Sequence, residues 1–312
     1  MEAEFVRWLR DRLPQNPAWP LGISDDAALF TLTDRSRLVV TTDLLTEGVD
    51  FQLSRDDPRL IGRKALATNL SDLAAMAAEP LAAFVSLALP RAGTGTQSAL
   101  ELAKLLYSGL LPQAAEFGVA LPGGDTNTYD GPLVISVTAL GTVAARGPLT
   151  RSGGLPGDKL LVTGALGGSI LGHSFNFTPR VHEALLLHER YELHAGMDIS
   201  DGLALDLSRL AAESGCGAVI QMDRVPISDA ARELAHRESA GDVAQASLRH
   251  ALGDGEDFEL LLAVPPAAAD AILREGSVAC GISCVGELIE EQGLWQQFGE
   301  KRTPLEPIGW QH

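Results

Sequence analysis

Carboxylates in this 312-residue chain fall where a carboxylate is costly. In "MDISDGLALDLSRL" (197–210), Asp198 ends an apolar step and Asp201 follows three residues later. A helical pattern then begins, carried by Leu203, Leu207 and Leu210. Capping accounts for Ser200 or Asp201, whose side-chain oxygens accept from free backbone N–H groups. It does not account for Asp198, because a charge among apolar neighbours must be paired. The same situation recurs along the chain. Asp25 and Asp26 stand between "LGIS" and "AALF", and Asp43 ends "LVVTTD". Asp72 lies in "ALATNLSDLAAMAA", and Asp125 follows two glycines in "ALPGGDTNT". A shared divalent cation would relieve all of these acids together. Hard ions such as Mg²⁺ take oxygen ligands, so neither His nor Cys is required. The seven His are scattered, and no zinc spacing is present. Gly123 and Gly124 let the backbone approach a bulky anion.

Several Mg²⁺ ions beside small residues point to phosphoryl transfer, in which catalysis is mostly positioning and charge neutralisation. The common nucleotide signatures are missing. No G-x-x-x-x-G-K-[ST] occurs, none of the four lysines follows such a loop, and no protein-kinase motif set is found. A nucleotide here must therefore be held by its phosphates through metal ions.

The elements that position these acids alternate in type. Strand-like runs occupy 37–45, 81–90, 133–143, 158–166, 217–223, 258–265 and 280–288. Helical patterns fill about 58–78, 96–117, 180–190, 202–214, 228–237 and 266–275. The class is α+β, in α/β layers. The Gly/Pro-rich stretch 145–158 divides the chain into 1–148 and 149–312, and 166–181 reads as a loop. "MEAEFVRWLRDRLP" at the start is an amphipathic helix candidate without the uncharged apolar core of a signal peptide.

Composition narrows the class further. At 46% hydrophobic, the chain can bury a large core or two ordinary ones. Its net charge of -17, from 41 acidic against 24 basic residues, argues against nucleic acid as a partner. Surface solvation accounts for most of these charges. No stretch reaches the roughly 20 apolar residues that span a bilayer, so no membrane partner is expected. Three cysteines, Cys216, Cys280 and Cys284, argue for a reducing cytoplasm rather than a disulfide scaffold.

Seven motifs then occur in a familiar order: "GISDDAALF", "VVTTDLLTEGVDF", "KALATNLSDLAAMAAEP", "GGDT", "LTRSGGLPGD", "MDISDGLALDL" and "GDGEDFELLLAV", with "PIGW" near the end. The set resembles the thiamine-monophosphate kinases of the aminoimidazole ribonucleotide synthetase-like superfamily. The resemblance implies a two-domain fold whose N-terminal domain, 1–148, binds metal and ATP and pairs into a dimeric β-barrel. Residues 149–312 would complete the nucleotide and substrate site. It also implies direct transfer of the ATP γ-phosphoryl group to thiamine monophosphate, with several Mg²⁺ ions. The ion ligands would be Asp26, Thr42, Asp43, Asp72, Asp125, Asp198 and Asp201. Nucleotide contacts would be Thr41, Tyr107, Gly124, Asp125, Arg151 and Ser200. Asp72, Asp201 and Arg151 would carry catalysis, and Asp50, Glu256 and Trp310 would meet the substrate.

The chain departs from the family pattern at Ser24, Asp50, Asp254 and Phe258, and its segment near 166–178 is short. These departures touch the acceptor half of the site. They keep open another small phosphate, carboxylate or amide acceptor, and a non-catalytic Mg-ATP-binding homologue.

Overall fold

The computed structural model describes residues 27–31, 37–238 and 241–310. Asp25, Asp26 and the N-terminal helix candidate lie outside the described residues.

The first sheet is built from β1 (Ala28–Thr31), β2 (Arg37–Thr46), β3 (Ala78–Pro90), β4 (Ala120–Tyr129) and β5 (Val134–Val143), in the order β1-β2-β5-β3-β4. Its pairs are antiparallel except β3 with β4. Among the described residues the sheet is open, with β1 and β4 as its edges, and does not close into a barrel. Strand alternation divides its residues between two faces. Val39, Val85, Val137 and Ala139 are buried on one face, while Leu44 and Phe84 on the other are 61% and 42% exposed.

Two helices cover the buried face. Helix α1 (Pro58–Ala75) starts at Asp57, whose carboxylate accepts from Arg59 N–H at 2.9 Å, with Pro58 in the first turn. Helix α2 (Ala99–Glu116) starts with a capping box between Ser98 and Glu101. The helices cross in backbone contact. A Cβ on Gly62 would sit 1.9 Å from the Leu106 carbonyl oxygen, and one on Gly109 would sit 1.8 Å from that of Arg59.

The second sheet holds β6 (Lys159–Thr163), β7 (Ala195–Asp198), β8 (Gly217–Gln221), β9 (Leu260–Val264), β10 (Ile282–Ile289), β11 (Leu294–Phe298) and β12 (Lys301–Pro304), in the order β12-β11-β8-β10-β6-β9-β7. Around it lie α3 (His173–Asn176), α4 (Val181–Arg190), α5 (Leu203–Glu213), α6 (Asp229–Glu238), α7 (Val243–Gly253) and α8 (Pro266–Glu275). Helix α1 is wedged between the two sheets, touching β2 and β5 on one side and β7, α3 and α4 on the other. One apolar cluster runs from Leu70 and Val137 through to Leu187 and Leu262, so α1 is buried over most of its surface.

The expected strands and helices are present, with ends moved by a few residues. The segment 166–181 contains a turn of 3-10 helix (Ser169–Leu171) and α3, where a loop was expected. Five strands, β1, β4, β7, β11 and β12, and helix α7 are additions to the sequence reading.

Candidate active site

The site is organised along one stripe of α1. Lys64, Thr68, Ser71 and Asp72 stand at i, i+4, i+7 and i+8, which places them on one helix face. Ser71 Oγ donates to Asp198 Oδ2 at 2.6 Å, and Asp72 accepts from the Thr41 hydroxyl. Burial pushes the Asp43 carboxyl up to about 6; a hydrogen bond with Thr68 opposes this, and the nearby Asp50 charge adds to it. Asp43, Asp72 and Asp198 come from a strand of each sheet and from the helix between, yet all three meet a single turn of α1. Thr41 and Asp43 alternate with Thr42 along β2, which explains why both point at α1.

A second acidic group forms where β7 runs into α5. Asp198 closes β7 and is 2% exposed. Asp201 follows, and its carboxylate receives Arg209 Nη1 at 2.5 Å. Asp206 is fully buried and takes the first N–H groups of this corner, from Asp201 at 2.9 Å and Gly202 at 3.1 Å. The helix N-cap is Gly202, without a side-chain cap hydrogen bond, so neither Ser200 nor Asp201 caps it as the sequence reading expected. Burial and the Asp201 charge push the Asp206 carboxyl up to about 7, against Arg209, the Asp201 N–H and Arg151. The Arg151 charge thus acts on Asp206 at this corner.

Of the expected acceptor residues, Asp50 and Glu256 meet Lys64 at the other end of the stripe, whereas Trp310 does not. Glu256 receives the buried ammonium of Lys64, and its own N–H donates to the Ser200 carbonyl at 2.7 Å. Gly255 makes this approach possible, since a Cβ there would lie 2.8 Å from the same carbonyl oxygen. The Asp50 carboxylate folds back onto its own turn and takes Thr46 N–H at 2.6 Å, so its charge is partly satisfied locally. Trp310 is 52% exposed, and its N–H donates to the Asp201 carbonyl at 2.9 Å, docking the C-terminal segment on the acidic corner.

The short segment after β6 is tied to the loop bearing Glu256. Gly167 N–H donates to Asp257, Gly168 N–H to Asp254, and Ser169 Oγ to the Gly255 carbonyl, at 2.8, 2.8 and 2.7 Å. Phe177 stacks on Phe258 with centroids 4.1 Å apart. Asp254 and Phe258, expected to be departures from the family pattern, are thus among the contacts that hold this segment.

Other expected residues are not brought together in one chain. Thr42 faces away from α1 and lies 3.0 Å from Thr138 on β5. Asp125 is exposed on edge strand β4, in a row running Leu44–Ser136–Ser86–Asp125 across the sheet. It is three strand spacings, roughly 14 Å, from the strand of Asp43. Gly124 is its neighbour there, and Tyr107 is half-buried on α2. Sequence reasoning missed Lys64, Thr68 and Ser71. Their signal was a polar stripe at helical spacing in an otherwise apolar segment.

The donor set fits a hard cation: the acids along α1 offer oxygen only, and burial of Asp43 and Asp198 calls for a positive charge. Among the described residues no three His, Cys, Asp or Glu side chains form a ready-made ion cage.

Comparison with known proteins follows the same lines. Residues 24–143 match the family model "AIR synthase related protein, N-terminal domain", and 139–294 match its C-terminal counterpart. The chain is 41% identical over 320 residues to the thiamine-monophosphate kinase of Rhodopirellula baltica, covering 100% of this chain and 97% of that one. It resembles the crystal structure of thiamine-monophosphate kinase from Stenotrophomonas maltophilia K279a, with 32% identity, 95% of each chain covered and a TM-score of 0.73. The fold is also that of AaThiL, solved complexed with AMPPCP and TMP, at 24% identity, coverage of 100% and 96%, and a TM-score of 0.81. With its two-domain α+β fold and near full-length similarity, this chain belongs to the thiamine-monophosphate kinase family of AIR synthase related proteins.

Proposed function

We propose that this chain is a Mg²⁺-dependent kinase that converts thiamine monophosphate to thiamine diphosphate at the expense of ATP. A phosphate oxygen of the acceptor attacks the γ-phosphorus in line. The bond from that phosphorus to the β,γ-bridging oxygen breaks, and ADP leaves without a phospho-enzyme. The observation that carries this reading is the meeting of Asp43, Asp72 and Asp198 on one turn of α1.

Asp26, Thr42, Asp43, Asp72, Asp125, Asp198 and Asp201 would hold the ions, which neutralise charge on the transferred group when bound. Arg151 adds a cation that stays charged at any working pH. Thr41, Tyr107, Gly124, Asp125 and Ser200 would contact the nucleotide, while Asp50, Glu256 and Trp310 face the acceptor. Residues 1–148 and 149–312 act as the two domains. Two copies pair through the open face of the first sheet, and β4 of each copy brings Gly124 and Asp125 to the site of the other.

The test is a screen of small phosphate, carboxylate and amide acceptors by ATP consumption, with and without Mg²⁺. Thiamine diphosphate should form only with the metal. Asp72→Asn should lower kcat by about 10²-fold or more, the usual cost of losing one charge-stabilising group, with its circular dichroism spectrum unchanged. Turnover with a different acceptor alone would favour the second superfamily reading, which the pinned 166–177 segment motivates. Tight Mg²⁺-dependent ATP binding without turnover would favour a non-catalytic homologue.

A further inference from the structure

Lys64 is 1% exposed on α1, where an ammonium must be fully paired. It has three N–H donors. One meets Glu256, and another meets the Asp50 carbonyl at 3.1 Å. The Phe175 ring lies 5.1 Å from Nζ, within cation–π range. Those partners belong to three segments far apart in the chain. The preceding residue reinforces the join, because Arg63 donates to the Phe175 and Phe177 carbonyls at 3.0 and 2.6 Å.

The pair is asymmetric. The Lys64 side chain is 2% exposed and that of Glu256 is 39% exposed. A ligand can therefore meet the carboxylate but not the ammonium behind it. Glu256 also has a φ of 54°, a left-handed conformation that a non-glycine residue adopts only when its surroundings enforce it. Lys64 is eight residues before Asp72, about 12 Å along the helix, so it stands apart from the end that would hold phosphates.

We infer that Lys64 is a positioning residue for the acceptor: it aims Glu256 and joins the 46–51 turn and the 166–177 segment into one wall. The inference rests on the kinase reading, in which Glu256 faces the acceptor. Loss of Lys64 removes a contact from all three segments at once, while the groups assigned to ATP keep their partners.

The experiment uses the full chain as parent, Lys64→Met, Glu256→Gln and the double variant. It measures KM for thiamine monophosphate and for ATP, kcat and thermal midpoint. Lys64→Met should raise the acceptor KM about tenfold, equivalent to about 1.4 kcal/mol, with the KM for ATP within about twofold. The double variant should be no worse than the poorer single, because both changes remove one shared contact. A lower thermal midpoint with unchanged acceptor KM, or strictly additive effects, would reduce Lys64 to a packing residue and overturn the inference. If Lys64→Met does not fold, Lys64→Gln retains a donor for the Asp50 carbonyl without the charge. The same rise in acceptor KM supports the inference there, and an unchanged value overturns it. A parent inactive on thiamine monophosphate overturns both readings, whereas an active parent with unmoved variants overturns only this one.

Discussion

Asp257 shows how far a single buried acid can stand from its ordinary chemistry. It is 1% exposed; its Oδ1 accepts from Gly167 N–H, while its Oδ2 has no hydrogen-bond partner among the described residues. Burial holds its carboxyl well above the ordinary 3.8; the Gly167 N–H opposes this, and the charges of Asp254, Glu259 and Asp206 reinforce it. All three acids have partners of their own: Asp254 faces the His250 ring, Glu259 faces Arg180 and Asp206 faces Arg209. The sign of the linkage is fixed by the direction of the shift. The folded chain holds the Asp257 proton more tightly than the unfolded chain does, so this contribution is fully present below 3.8 and is lost as pH rises through the higher folded value. Asp257→Asn removes the titration but keeps an oxygen for Gly167. Its thermal midpoint relative to the parent should therefore climb as pH is raised from about 4 towards 8. A difference that stays flat across that range would mean Asp257 is ionised in the folded chain.

Helix α1 is the element on which the site depends, because the same eighteen residues pack the two sheets and present the polar stripe. Its position is set by backbone contact with α2 at Gly62 and Gly109, where no side chain fits. Gly109→Ala forces the helices apart. It should cost about 1–3 kcal/mol, the usual range for overpacking, read from the denaturant midpoint, and it should lower kcat as the stripe shifts. An unchanged midpoint would show that the crossing yields without penalty. Much of this architecture is legible in the sequence, because α1, α2, β2, β5 and β9 carry long apolar runs or regular alternation. Strand β4 is not, since "ALPGGDTNTY" has a Pro, two Gly and little strand propensity; pairing with β3 overrides that local signal. Strand β7 has four residues and no room for a pattern. Helix α7 had a readable start in Asp242, whose carboxylate accepts from Ala244 and Gln245 N–H. In the site, the acids stood out because a carboxylate among apolar residues is conspicuous. Lys64, Thr68 and Ser71 did not, because their meaning depends on partners 14 to 192 residues away.

At the scale of the whole molecule, one chain leaves its own chemistry divided. Asp43, Asp72 and Asp198 meet at α1, but Asp125 stands on the far edge of the first sheet, on the face that carries exposed Leu44 and Phe84. An apolar face left uncovered among the described residues, beside a strand edge unpaired among them, is a surface that a folded protein usually hides against another. In the pairing proposed above, a second copy related by a two-fold axis would cover it with the same face, and each β4 would then reach towards its partner. The consequence is a complementation test. The parent should sediment at twice the 33.0 kDa chain mass. Asp72→Asn and Asp125→Asn should each be inactive as pure proteins. Unfolding and refolding them as an equal mixture yields hybrids in half of the dimers. If Asp125 acts on the partner's site, every hybrid carries one doubly altered site and one intact site. The mixture should then recover about one quarter of the parent activity, by counting sites over random two-fold pairing. Were Asp125 to act within its own chain, both sites of the hybrid would remain damaged and no activity would return.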